Sequence, residues 1–102
     1  MSVELVVVPE AEQDIAEAYE WYEARRAGLG EEFMNSVDAC LEGIRRWPAM
    51  YAVVYEDFRR ALIRRFPYAV FYEQSKAGVI VYAVFHTSRD PDKWRRRFFG
   101  SG

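Results

Sequence analysis

Apolar positions change their spacing along this chain, and each change marks an element. Residues 3–8, Val-Glu-Leu-Val-Val-Val, are short and β-branched and predict a strand. Pro9 ends it and suits the start of a helix, where its missing N–H costs nothing. From Glu10 to Arg26 the apolar residues Ala11, Ile15, Ala18, Tyr19 and Tyr22 share one helical face. Acidic side chains crowd the first turns and Arg25-Arg26 the last, which complements the helix dipole. Gly28 and Gly30 break that helix. A second is predicted over Glu31–Arg46, with Phe33, Val37, Cys40, Leu41 and Ile44 on one side, stopped by Trp47-Pro48.

The period then shortens. Strands are predicted at 58–65, 68–74 and 78–86, separated by Pro67 and by Lys76-Ala77-Gly78. Connections this short imply an antiparallel meander. Asp90-Pro91-Asp92 predicts a short C-terminal helix, with Asp90 as N-cap and Pro91 at its first position. The fold class is therefore α+β, in the order β-α-α-β-β-β. A helical hairpin packs on one face of a mostly antiparallel sheet, because one apolar stripe per helix needs a sheet to cover it.

That sheet is apolar on both faces. Strict alternation places Val79, Val81, Ala83 and Phe85 on one side of the last strand and Ile80, Tyr82, Val84 and His86 on the other. Tyr68, Val70 and Tyr72 oppose Ala69 and Phe71 in the strand before it. A sheet wetted on one face alternates apolar and polar residues. Three covers suit the second face: the C-terminal segment with Trp94, Phe98 and Phe99, a second copy, or a separate peptide.

At 102 residues the chain is read as one domain, residues 1–102. With 51% hydrophobic and 17% aromatic residues, it can bury a core without a metal or disulfide. The single cysteine, Cys40, forms no internal bridge and sits at core spacing, which suits a reducing cytoplasm. No apolar run is long enough to cross a membrane, and the N-terminus lacks the basic region of a signal peptide. One histidine and one cysteine make no metal site, no phosphate-binding glycine loop occurs, and no cofactor is expected.

Net charge is only −2, but its distribution is uneven. Residues 1–57 hold 13 acidic and 4 basic side chains, whereas residues 58–102 hold 3 and 10. Twelve of the 14 basic residues are arginine, whose planar fork suits carboxylates and phosphates. An acidic partner meeting Arg59, Arg60, Arg64 and Arg65 would be steered to them. Overall acidity argues against sequence-blind nucleic-acid binding.

Several segments in order carry a family resemblance. They are Pro9-Glu10-Ala11-Glu12-Gln13-Asp14-Ile15 with Trp21-Tyr22-Glu23, Gly28-Leu29-Gly30-Glu31-Glu32-Phe33, and Arg59-Arg60 with Arg64-Arg65-Phe66-Pro67-Tyr68. Val70-Phe71-Tyr72 and His86-Thr87-Ser88-Arg89-Asp90-Pro91-Asp92-Lys93-Trp94 complete the set. Together the chain resembles the RelE/ParE superfamily of type II toxin–antitoxin toxins, in particular its ParE-like, plasmid-stabilisation branch. The resemblance implies a toxin wrapped by a cognate antitoxin, alone, as a homodimer or in a heterotetramer. It also implies one of two targets: DNA gyrase for ParE-like members, or messenger RNA on the ribosome for RelE-like ones. Arg59, Arg60, Arg64, Arg65, Arg89 and Trp94 are its candidates for antitoxin or target contact.

The residues separate these mechanisms. A metal-independent ribonuclease needs a base, an acid and cations for the phosphorane. His86 stands where some nuclease relatives carry an acid/base histidine, and it is the one catalytic candidate. Thr87 replaces their tyrosine, and Ala69 falls about where they place an arginine. Glu56 and Asp57 align to nothing securely. The incomplete set favours a non-catalytic toxin that binds gyrase. The ribonuclease using His86, and a module that only pairs with an antitoxin, are the alternatives. Trp21 and Tyr22 read as core, and Arg95-Arg96-Arg97 as a soluble tail.

Overall fold

The computed structural model describes residues 3–88 together with 96–97. Arg89, Trp94 and the predicted start of the C-terminal helix at Asp90-Pro91-Asp92 lie outside them, while residues 96–97 are helical.

Strand β1 (Leu5–Val7) leads into helix α1 (Pro9–Arg25), with Pro9 in its first turn. Gly28, at φ 91°, turns the chain into helix α2 (Leu29–Arg46). Four strands follow: β2 (Val53–Tyr55), β3 (Phe58–Leu62), β4 (Tyr68–Ser75) and β5 (Gly78–His86). They form one sheet in the order β1-β5-β4-β3-β2, antiparallel except where β1 lies parallel to β5. The α+β class, helical hairpin and meander are as expected.

Three features differ from the sequence reading. Val53–Tyr55 forms an additional edge strand, joined to β3 through Glu56-Asp57. Glu56 adopts a left-handed conformation (φ 51°), so both acids that aligned to no catalytic position are turn residues. Strand β3 ends at Leu62 rather than at residue 65, and Arg65 takes φ 74° in the connection to β4.

The third difference is a bulge. Phe71 faces Ala83 while Tyr72 faces Val81, so β5 carries one residue more than its partner. Alternation therefore slips at Tyr82. Val79, Val81 and Val84 face the helices, whereas Ala83 and Phe85 join Ala69 and Phe71 on the opposite side. Strict alternation puts Ala83 and Phe85 with Val79 and Val81, and the extra residue is why it fails here.

The main core lies between helices and sheet. Phe33, Val37 and Ile44 of α2 and Ala11, Ala18 and Tyr22 of α1 pack on Val70, Tyr72, Val79, Val81 and Val84. Tyr72 is fully buried, and its hydroxyl donates to the Pro48 carbonyl at 2.6 Å. Burial pushes that phenol up to about 12.

The opposite face is buried too. Ala69, Phe71, Ala83 and Phe85 are each 5% exposed or less. Val54 and Tyr55 pack against them, and the Arg97 guanidinium lies over the Phe85 ring, 4.8 Å from its centroid. The chain itself therefore shields the centre of this face, whereas Val6, Val53 and Leu62 at the sheet edges are more than half exposed.

Cys40 sits in the seam between α2 and β3, its Sγ 4.0 and 3.8 Å from the Ala61 and Leu62 carbonyl oxygens. Burial pushes its thiol up to about 11. The thiolate is the reactive form, so at pH 8 the folded protein is expected to react with a disulfide reagent about 100-fold more slowly than the unfolded chain. Equal rates would show that the seam opens.

Candidate functional site

The expected arginine cluster separates into two kinds. Arg59 donates to the carbonyls of Ala49 and Tyr51, at 3.3 and 2.6 Å, and so pins the loop between α2 and β2. Arg65 reaches Glu32 of α2 at 3.0 Å, and Arg26 reaches the other oxygen of the same carboxylate at 3.2 Å. Hydrogen bonding from Arg26 holds the Glu32 carboxyl below its ordinary range; desolvation opposes it, and the charge of Arg26 and the hydrogen bond and charge of Arg65 add to the lowering. Arg60 and Arg64 are exposed and have no partner among the described residues. Arg64 and Arg65 border an apolar hollow of about 460 Å³, with Cys40, Tyr51 and Leu62 in its walls.

His86 lies elsewhere. It ends β5, opposite Tyr68, whose ring it meets edge-on at 5.2 Å. The backbone N–H of Ser88 donates to Nδ1 at 3.1 Å, and the Ser88 hydroxyl lies 2.8 Å from the same atom. An amide can only donate, so Nδ1 carries no proton and the neutral ring bears it on Nε2. The structure holds this histidine by Ser88 and Tyr68.

Around it opens a cavity of about 550 Å³, lined by Asp14, Glu17, Trp21, Tyr22, Tyr68, Val84 and their neighbours. The cavity exists because β1 is short. It covers β5 only from Val79 to Val81, and α1 then crosses the uncovered edge. There the Val84 N–H donates to the Asp14 carboxylate at 3.0 Å in place of a strand partner. Arg97 binds both oxygens of that carboxylate, at 3.1 and 3.2 Å. Glu17 is exposed at the rim and accepts from the Gln13 amide at 3.1 Å. Trp21, read as core, is half exposed there, with the Arg25 guanidinium 4.0 Å from its ring centroid. Tyr22, by contrast, is core, packed against Phe33 and Phe66.

The arrangement has a sign. Among the described residues, the side chains lining the cavity include two carboxylates and no guanidinium or ammonium group. Arg59 and Arg60 do not reach it because β4 separates β3 from β5, and Arg64 and Arg65, in the β3–β4 connection, are not among its lining residues. Ala69, in place of the relatives' arginine, is buried on the far face. Asp14 is paired with Arg97, Glu17 adds a further negative charge at the rim, and no cation stands among the described lining side chains to meet a phosphorane.

Sequence reasoning missed Asp14, Glu17 and Arg97 at this site. Asp14 had a signal: it lies three residues beyond Ala11 and four before Ala18, next to the apolar stripe of α1, where a carboxylate needs a partner. Arg97 had none, being one of three consecutive arginines. Among the described residues no group of histidine, cysteine and carboxylates is arranged to hold a metal, and no helix is long and apolar enough to cross a membrane.

Comparison with known proteins adds to this geometry. The solved structure titled "Chromosomal ParDE TA system from P. aeruginosa" superimposes with a TM-score of 0.64 at 12% identity, covering 83% of this chain and 96% of that one. At that identity the likeness speaks for the fold alone. No curated protein matches the sequence. A family described as the ParE toxin of the type II toxin-antitoxin system parDE matches residues 5–91, which is most of the chain. The chain therefore belongs to the ParE toxin family of type II toxin–antitoxin systems.

Proposed function

We propose that residues 1–102 form one toxin domain, restrained by a cognate antitoxin in the cytoplasm, that arrests growth by binding DNA gyrase and does not cut RNA. The observation that carries this reading is the carboxylate-lined cavity at His86. A ribonuclease would place free cations in the cavity, whereas its lining offers Asp14, already paired with Arg97, and the Glu17 carboxylate. Membership of the ParE family supports the rest. Arg60 and Arg64, exposed and unpaired among the described residues, are the cations best placed to meet an acidic antitoxin segment. Arg59 and Arg65 serve chiefly to hold the surface that presents them. Arg89 and Trp94 carry over from the family resemblance as further contacts.

The alternative, a ribosome-dependent nuclease, rests on one feature, the half-buried His86 beside an open cavity. Inducing His86→Ala separates the two readings. Growth arrest equal to that of the parent is expected. Without the imidazole to accept from Ser88, the variant should be less stable by about 1 kcal/mol. If the folded variant loses arrest and messenger RNA stays intact, the nuclease reading replaces the one proposed.

A further inference from the structure

We infer that the groove between α1 and α2, on the other flank of α1 from the His86 cavity, receives a basic amphipathic helix of a partner protein. The groove holds about 520 Å³ and shares no lining residue with that cavity. Ile15 and Tyr19 of α1 and Met34 and Leu41 of α2, all partly buried, form its apolar walls, and Val7 of β1 closes one end. Its charged lining residues are Glu12, Glu20 and Asp38, all exposed and all acidic. None of their carboxylates has an ion pair or hydrogen bond among the described residues. Elsewhere on the same two helices, Asp14, Glu32 and Glu42 each meet an arginine. At the groove, the negative charge is left for a cation from outside.

Geometry selects the form of the ligand. Both walls are helices, whose backbone groups are already bonded within each helix, so an extended peptide would find no main-chain partners there. A helix brings its own hydrogen bonds. From Glu12 to Glu20 the groove follows α1 for about 12 Å at 1.5 Å per residue, which is roughly two turns of a helix laid along it. An apolar stripe on that helix would cover Ile15, Tyr19, Met34 and Leu41. Lysine or arginine on its flanks would meet the three carboxylates.

The test titrates the ¹⁵N-labelled full chain with acetyl-(Leu-Lys-Lys-Leu-Leu-Lys-Leu)₂-amide. The controls are the same peptide with glutamate in place of lysine, and one of unchanged composition whose leucines form no stripe. The lysine peptide is expected to shift the amides of Ala16, Tyr19 and Asp38 saturably, and the controls to leave them in place. Glu12→Gln, Glu20→Gln and Asp38→Asn together, all at exposed positions, should weaken binding about tenfold. Ala16→Lys, exposed within the groove, should weaken it independently by adding bulk and a like charge. The amide spectrum of each variant reports its fold. Undiminished binding by either folded variant, equal shifts from a control peptide, shifts confined to other surfaces, or no saturable shift would each overturn the assignment. So would movement of the same amides on dilution of the unliganded chain, which would put a second copy in the groove. The inference goes beyond the gyrase reading: a chain that does not arrest growth leaves the titration unaffected.

Discussion

Truncating Phe33 to alanine is expected to lower stability by about 3–5 kcal/mol and Tm by roughly 15–30 °C. Phe33 is fully buried and lies at the centre of an aromatic group. Its ring centroid is 5.2 Å from Tyr22, 5.3 Å from Phe66 and 5.4 Å from Tyr68, so it joins α1, α2 and the β3–β4 connection. Removing it leaves a cavity that these three segments cannot all close into. Thermal unfolding followed by circular dichroism measures the effect. A fall of less than about 5 °C would mean that the helical hairpin does not depend on this cluster.

A second large effect is expected at the turn between β4 and β5. Gly78 has φ 142°, which side chains rarely adopt, and a Cβ there would fall well inside contact distance of the Glu4 carbonyl oxygen. That carbonyl accepts the Val79 N–H at 2.8 Å, so the clash falls on the hydrogen bond that starts the parallel β1–β5 pairing. Gly78→Val should cost about 3 kcal/mol in strain and displaced backbone. The loss should be local: amide exchange at Val79 and Val81 should rise while Val70 of β4 stays protected. Gly28→Ala makes the control, because its φ is also positive but nothing lies within 4 Å of the added carbon. It should cost only about 1–2 kcal/mol. Similar losses for the two variants would remove the close approach of Glu4 as the cause.

How far the fold was legible depended on the length and regularity of each element. Both helices announced themselves through Ala11, Ala18 and Tyr22 and through Phe33, Val37 and Ile44, where a long stripe repeats several times. Strand β2 did not, since Val53-Val54-Tyr55 is three residues long and follows a segment that reads only as a helix stop. The bulge at Tyr82 was illegible in principle. A single extra residue changes the face of everything after it, and Val-Tyr-Ala-Val-Phe is apolar in either register.

The candidate site was partly legible. His86 and the four arginines were visible as residue types, but their grouping was not. Arg59 bonds backbone carbonyls, Arg65 bonds Glu32, and none of the four lines the His86 cavity. Such long-range partners are set by sheet order, which strand pattern alone leaves open. The carboxylate lining of the His86 cavity depends on α1 crossing the edge that β1 leaves uncovered. A single sequence gives no measure of that crossing.

The acidic wall beside His86 also decides what to measure first. Purified protein should be added to DNA gyrase and supercoiled plasmid, without ribosomes or RNA, and linear DNA quantified after trapping. A toxin that works by binding gyrase gives linear product that rises with its concentration and disappears when gyrase is omitted. Background levels of linear DNA, from protein that still arrests growth and cleaves messenger RNA on ribosomes, would contradict a non-catalytic mechanism directed at gyrase.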